Sequence, residues 1–135
     1  PLGVAEIKRK GTDVTIVSFG KIIKEAYKAA DVLSEEGIEC EVIDLRTVRP
    51  LDHKTILESV KKTNRLVILE EAWPFGNVST EITYQVQEQA FDYLDAPIIK
   101  INTADTPAPF SPVLLAEWLP NSTDVIKAVK KVLYK

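Results

Sequence analysis

Few residues in this sequence could do chemistry, and the acidic pair Glu70-Glu71 is the first to weigh. Two carboxylates at the end of an apolar run would suit acid and base work. Neighbouring side chains on an extended chain leave opposite faces, so a shared proton is not expected. The only histidine, His53, falls in the first turn of a predicted helix. An exposed polar role is the simpler reading there, because a histidine acting as base needs a partner to orient it. Cys40, the only cysteine, lies in an apolar, β-branched run and reads as core, where a buried thiol keeps its proton. One Cys and one His cannot assemble a zinc site. No catalytic, cofactor-binding or metal residue is therefore expected.

Two polar groupings remain. Asp44, Arg46, Thr47 and Arg49 gather after the run Cys40 to Leu45, at what would be a strand's carboxyl end, where open α/β sheets place ligands. The same charges fit a solvated strand end. Ser18-Phe19-Gly20-Lys21 leads from a predicted strand into a helix, whose free N–H groups and dipole favour an anion. Gly20 and Lys21 are the candidate anion site, although many such junctions bind nothing. Neither G-x-G-x-x-G nor a Walker loop occurs, and five glycines are too few for a glycine-rich nucleotide cradle.

The elements that position these residues follow from periodicity. Val4 to Arg9 alternates as a half-exposed edge strand guarded by charge, and Gly11 turns out of it. Val14 to Val17 is a buried strand. A helix follows with Ile22 or Ile23, Ala26, Ala30 and Leu33 inward, and Gly37 ends it. The stretch Glu39 to Asp52 is read as the central strand and its exit, with Pro50 preventing a helical continuation. Asp52 caps a helix that buries Ile56, Leu57 and Val60 and ends near Thr63-Asn64. Leu66 to Leu69 is a strand covered on both faces.

Trp73 to Asn77 forms an aromatic loop, and Ser79 or Thr80 opens a helix with Ile82, Val86, Ala90 and Tyr93 inward. Pro97 to Ile101 is the last strand, with Pro97 tolerated at its first position. Asn102 to Ser111 is an extended arm stiffened by Pro107 and Pro109. Ser111 caps a short helix carrying Pro112, Leu114, Leu115 and Trp118, and Pro120 stops it. Asn121 or Ser122 caps a last helix with Val125 or Ile126, Val129 and Leu133 inward. Strands alternating with helices imply parallel pairing, right-handed crossovers and an α/β/α sandwich.

The 135 residues, 45% of them hydrophobic, suit one domain over 1–135 with one sizeable core. Pro1-Leu2-Gly3 reads as the end of a linker. Seventeen basic against twenty acidic residues give a net charge of −3 without long blocks of like charge, which argues against nucleic acid as a partner. No apolar run approaches the roughly 18 residues of a membrane helix, so a soluble protein is expected.

Several motifs, in order, resemble one family. They are Asp13-Val14-Thr15-Ile16-Val17-Ser18, Glu41-Val42-Ile43-Asp44-Leu45-Arg46-Thr47, Pro50-Leu51-Asp52, Phe91-Asp92-Tyr93-Leu94-Asp95-Ala96-Pro97 and Asp105-Thr106-Pro107. Together they resemble the C-terminal domain of the β subunit of 2-oxo acid dehydrogenases. Trp73-Pro74 leans toward the pyruvate dehydrogenase branch, with the branched-chain enzyme as the alternative.

The resemblance implies a transketolase C-terminal-type fold, a five-stranded, mostly parallel sheet whose first, edge strand runs antiparallel. It implies that thiamine diphosphate and Mg belong to the parent enzyme, between the α subunit and an N-terminal β domain absent here, and that this domain is not catalytic alone. It implies as partners the α subunit, a second β subunit and the subunit-binding domain of the lipoyl acyltransferase component. Asp95 and Lys135 are then the partner-binding residues. It also implies a bacterial cytoplasm, or alternatively a mitochondrial matrix, in keeping with a lone cysteine. Relatives often carry Gly-Val-Gly-Ala-Glu-Ile where this chain has Asn77-Val78-Ser79-Thr80-Glu81-Ile82, so both glycines are replaced. A small anion- or nucleotide-binding module is the competing expectation.

Overall fold

The computed structural model describes residues 1–135. Five strands, β1 (Glu6–Arg9), β2 (Val14–Ser18), β3 (Cys40–Asp44), β4 (Leu66–Leu69) and β5 (Ile99–Ile101), form one sheet in the order β1-β3-β2-β4-β5. β1 pairs antiparallel with β3, and the other pairings are parallel. The central strand is therefore β2, not β3 as the sequence suggested. β2 is buried along its whole length and pairs on both edges, Val17 lying beside Ile43 and Ile68. Strand order is a matter of non-local pairing, which the composition of a single strand does not encode.

Helices α1 (Ile23–Glu35) and α5 (Ser122–Val132) cover one face. Helices α2 (His53–Thr63) and α3 (Val78–Ala90) cover the other. Val14 and Ile16 of β2 point into the first layer, and Val17 points into the second, as the two-residue period of a strand requires. A short helix, α4 (Pro112–Trp118), lies outside both layers with no buried residue.

Local signals explain most boundaries. Gly37, with φ +79°, ends α1, and Asp52 caps α2 by accepting from the Thr55 N–H. Asn64 closes α2 in the left-handed conformation, φ +65°. Asn121 and Asp124 form a reciprocal capping box at α5.

Other expectations need correction. Asn77, not Ser79 or Thr80, caps α3. Tyr93 is exposed because α3 breaks after Ala90 into a 3-10 turn over Phe91–Tyr93, which shifts the helical phase. Val132 takes the buried position in α5 expected for Leu133, which is only partly buried. β5 begins at Ile99, so Pro97 stands in the turn ahead of it. Ile7 of β1 is 42% exposed and flanked by exposed Glu6 and Lys8, so the edge strand shows no buried face at all.

Candidate functional site

Each parallel strand has a carboxyl end and an amino end, and the candidate residues divide between them. Asp95 precedes β5, so it stands at the amino ends. α5 runs back from the carboxyl ends and brings Tyr134 to the same place, where its hydroxyl donates to the Asp95 carbonyl at 3.2 Å. The Asp95 N–H donates to the Asn64 carbonyl at 2.9 Å, and the Asn64 side-chain amide donates to the Tyr93 carbonyl at 2.8 Å. The left-handed cap of α2 thereby holds both flanks of the Phe91–Asp95 turn.

Arg65 approaches the Asp95 carboxylate at 3.8 Å and anchors its own Nε–H on the Val132 carbonyl at 3.1 Å. The Asp95 side chain stays more than half exposed. It is an accessible anion on a backbone held from both sides. Beside it opens a cavity of about 500 Å³ floored by Leu94, Ala96, Pro97 and Ile98 and walled by Phe91 and Tyr134. Phe91, Tyr93 and Tyr134 are all exposed around it. Lys135 follows Tyr134, is exposed, and donates its N–H to the Lys130 carbonyl at 2.8 Å. Asp95 and Tyr134, the residue before Lys135, thus meet at the amino ends of the strands, where an exposed carboxylate stands beside apolar walls.

Sequence reasoning missed Asn64 and Tyr134 here. A left-handed Asn after a helix is a readable signal, but nothing local marks Tyr134 as a neighbour of Asp95.

The carboxyl ends carry a second surface. Trp73 and Trp118 both donate their indole N–H to the Thr106 carbonyl, at 2.7 and 2.9 Å. Lys100 donates to the Pro74 carbonyl at 2.8 Å and to the Thr80 hydroxyl at 2.9 Å, and Asn77 donates to the Trp73 carbonyl. The loop and the proline arm are stapled to each other while Phe75, Phe110, Val113 and Leu114 face solvent. Beneath them Glu70, wholly buried, accepts from the Ser79 hydroxyl at 2.6 Å, the Ser79 N–H at 3.2 Å and the Asn102 amide at 2.8 Å. Glu71 is exposed, so the adjacent carboxylates do leave on opposite sides. Ser79 supplies two of the three donors to Glu70.

Of the polar cluster after β3, Asp44 accepts from the Arg46 N–H at 3.0 Å and Thr47 bonds within the domain, while the Arg46 and Arg49 side chains are exposed. Thr47 accepts from the Gly3 N–H at 3.1 Å, and Asp52 accepts from the Ala5 N–H at 2.9 Å. Burial pushes the Asp52 carboxyl up, but hydrogen bonds from Thr55 and Ala5 outweigh it and hold the group below the usual range. Thr47 and Asp52 tie residues 3–5 to the domain.

His53 is partly buried, and its side chain has no hydrogen-bond partner to orient it. Burial pushes the Cys40 thiol up to about 12, which keeps it protonated and unreactive. At the other candidate, Gly20 has φ +72° and precedes α1, with Lys21 exposed. No three or more His, Cys, Asp or Glu side chains converge to hold a metal ion. No helix is long and apolar enough to cross a membrane.

Comparison with known proteins adds to this geometry. Residues 3–125 match the family "Transketolase, C-terminal domain". The chain is 55% identical over 134 residues to the pyruvate dehydrogenase E1 component subunit beta of Rickettsia felis, covering 99% of this chain and 41% of that one. It is 49% identical over 135 residues to the mitochondrial subunit beta-1 of the same component in Arabidopsis thaliana, covering 100% of this chain and 37% of the relative. Among solved structures, a "Split gene transketolase, inactive beta4 tetramer" superposes with a TM-score of 0.84 at 30% identity, over 98% of this chain and 42% of that one. The chain thus spans well under half the length of each of these relatives.

Proposed function

Because the chain belongs to the transketolase C-terminal domain family, we propose that it is the C-terminal assembly and docking domain of a pyruvate dehydrogenase β subunit. The observation that carries this reading is the 55% identity to such a subunit, sustained over 99% of the chain. In the parent enzyme, thiamine diphosphate and Mg supply the decarboxylation chemistry, and their ligands come from the α subunit and the rest of the β subunit. Residues 1–3 are then the end of the linker from that preceding domain. The hydrogen bonds from Gly3 and Ala5 to Thr47 and Asp52 fix the direction in which it enters.

The two surfaces suit two partners. The stapled platform of Trp73, Phe75, Phe110 and Leu114 is an apolar patch of the kind that subunit contacts cover, and the α subunit or a second β subunit is its partner. The surface around Asp95, Tyr134 and Lys135 receives the subunit-binding domain of the lipoyl acyltransferase. A backbone held on both sides presents the exposed Asp95 carboxylate to a partner's cations at a reduced ordering cost.

Pull-down with that isolated subunit-binding domain tests the reading. Capture of the chain, and its loss on Asp95→Ala, is the expected result. Equal capture of both proteins would remove Asp95 from the interface, and capture of neither would count against docking.

A further inference from the structure

Asn64, at the junction of α2 and β4, does more than end a helix. Its φ of +65° is the left-handed conformation that glycine adopts at least cost, and Gly37 ends α1 in that conformation at φ +79°. Stopping the helix therefore does not by itself call for an asparagine side chain. Each polar group of the residue has a partner of its own. The Asn64 N–H donates to the Val60 carbonyl at 2.7 Å and closes α2. Its carbonyl accepts from the Asp95 N–H at 2.9 Å, and its side-chain amide donates to the Tyr93 carbonyl at 2.8 Å. The first bond serves the helix, and the other two serve the Phe91–Asp95 turn.

That turn has little burial to hold it. Between Ala90 and Ala96, which are both buried, every residue except Leu94 is exposed. Its course is set by polar contacts. The Leu94 N–H closes onto the Phe91 carbonyl at 3.1 Å, and the Tyr134 hydroxyl reaches the Asp95 carbonyl at 3.2 Å. The Lys61 ammonium, also from α2, lies 5.4 Å from the centre of the exposed Tyr93 ring. Asn64 alone bonds the turn at two residues, one on each side of Leu94. The Asp95 carboxylate has Arg65 as its ion-pair partner only at 3.8 Å, so the backbone that carries the carboxylate decides where it stands.

We propose that Asn64 is a positioning residue for docking, its side-chain amide setting where the turn presents Asp95 to the subunit-binding domain. The role presupposes the docking function proposed for the domain. Asn64 acts through the Tyr93 and Asp95 backbone and leaves the Asp95 carboxylate free for the partner's cations.

Titration calorimetry with the isolated subunit-binding domain, run on the parent chain, Asn64→Gly, Asn64→Asp and Asp95→Ala well below their melting temperatures, tests this. Asn64→Gly keeps the left-handed cap and both backbone bonds and loses only the amide. It should melt within about 3 °C of the parent yet bind roughly three- to tenfold more weakly. In the free variant, nitrogen-15 order parameters should fall at Tyr93, Leu94 and Asp95 and stay unchanged through α2. Asn64→Asp also tolerates the left-handed conformation, but it sets a carboxylate against the Tyr93 carbonyl while adding negative charge next to Asp95. It should bind more weakly than the parent. Tighter binding would show that the surface reads charge alone, and would overturn the positioning role. So would unchanged order parameters in the turn of Asn64→Gly, or binding by Asn64→Gly as tight as the parent's, whatever Asp95→Ala does. Failure of the parent itself to bind overturns the docking function and this role with it, so the parent's own titration tells the two failures apart.

Discussion

The two ends of the parallel strands each bury a glutamate, and they satisfy it by different means. At the amino ends Glu41 is 1% exposed and accepts from Ser59 at 2.7 Å, from the Gly11 N–H at 3.3 Å and from the Lys62 ammonium. Thr15 joins Ser59 and Thr63 to the cluster at 2.7 Å each. At the carboxyl ends Glu70 has no cation at all. It relies on the Ser79 hydroxyl, the Asn102 amide and an N–H in the first turn of α3, where the helix dipole favours a negative charge. The first clamp secures the last turn of α2, and with it Asn64 and the turn that carries Asp95. The second secures the loops under the exposed aromatic platform. A carboxylate near solvent can be matched by a lysine reaching in from outside, whereas one at the centre of converging loops must be matched by donors already buried.

The largest expected effect comes from removing the cation. Lys62→Met leaves Glu41 buried with two neutral donors, and should cost about 2–3 kcal/mol in urea denaturation. That falls below the loss for a wholly buried pair because the Lys62 side chain is 45% exposed and water can follow it. Burial pushes the Glu41 carboxyl up, but the bonds from Lys62, Ser59 and Gly11 together hold it below the usual range. A lowered folded-state pKa means that this stability is complete above the ordinary glutamate value of about 4.3 and is lost as pH falls through the lowered one. In Lys62→Met the acid unfolding midpoint should move to higher pH. An unmoved midpoint would separate Lys62 from the clamp.

Glu70→Gln comes next. The amide oxygen can replace one carboxylate oxygen, but the amide nitrogen then faces a donor, and one of Ser79 or Asn102 is left unsatisfied, at about 1–2 kcal/mol. Hydrogen exchange should quicken in the loops around Trp73 and Thr106 and stay unchanged near Asp95. Uniform quickening would mean that the two ends are not independent.

Asp95→Ala should change stability by no more than about 0.5 kcal/mol, since its pairing with Arg65 is at the surface and long. Its effect is expected on partner capture alone. A large loss of stability would make Asp95 a structural residue.

How far these two ends were legible in the sequence differs in the same way. The Asp52 and Asn121 caps, the run Leu66 to Leu69 and the burial of Cys40 follow from local rules, and the structure agrees with each. Asp95 and Lys135 entered through the resemblance, and their placement on one surface depends on α5 returning to the amino ends. Nothing local marks Glu41 as a buried clamp, and only the approach of α2, which brings Ser59 and Lys62 to it, makes it one. Tyr93 was misread because a helical period was carried across a break at Ala90 that no glycine or proline announces. The misses are contacts between residues far apart in the chain. The hits are decided within a turn or two.

The finest distinction concerns Asn77 and Ser79 at the start of α3. Asn77 accepts from the Thr80 N–H at 3.2 Å as the cap of α3, and its Oδ1 lies 2.6 Å from the Ser79 hydroxyl, whose one proton it shares with Glu70. Asn77→Gly should cost only a few tenths of a kcal/mol, because glycine is itself tolerated at a cap. Ser79→Gly withdraws the hydroxyl from Glu70, so it should cost clearly more, about 1 kcal/mol. If the two substitutions instead proved equal in chemical denaturation, Ser79 would be serving the helix cap alone, and Glu70 would be held by Asn102 and the α3 terminus without it.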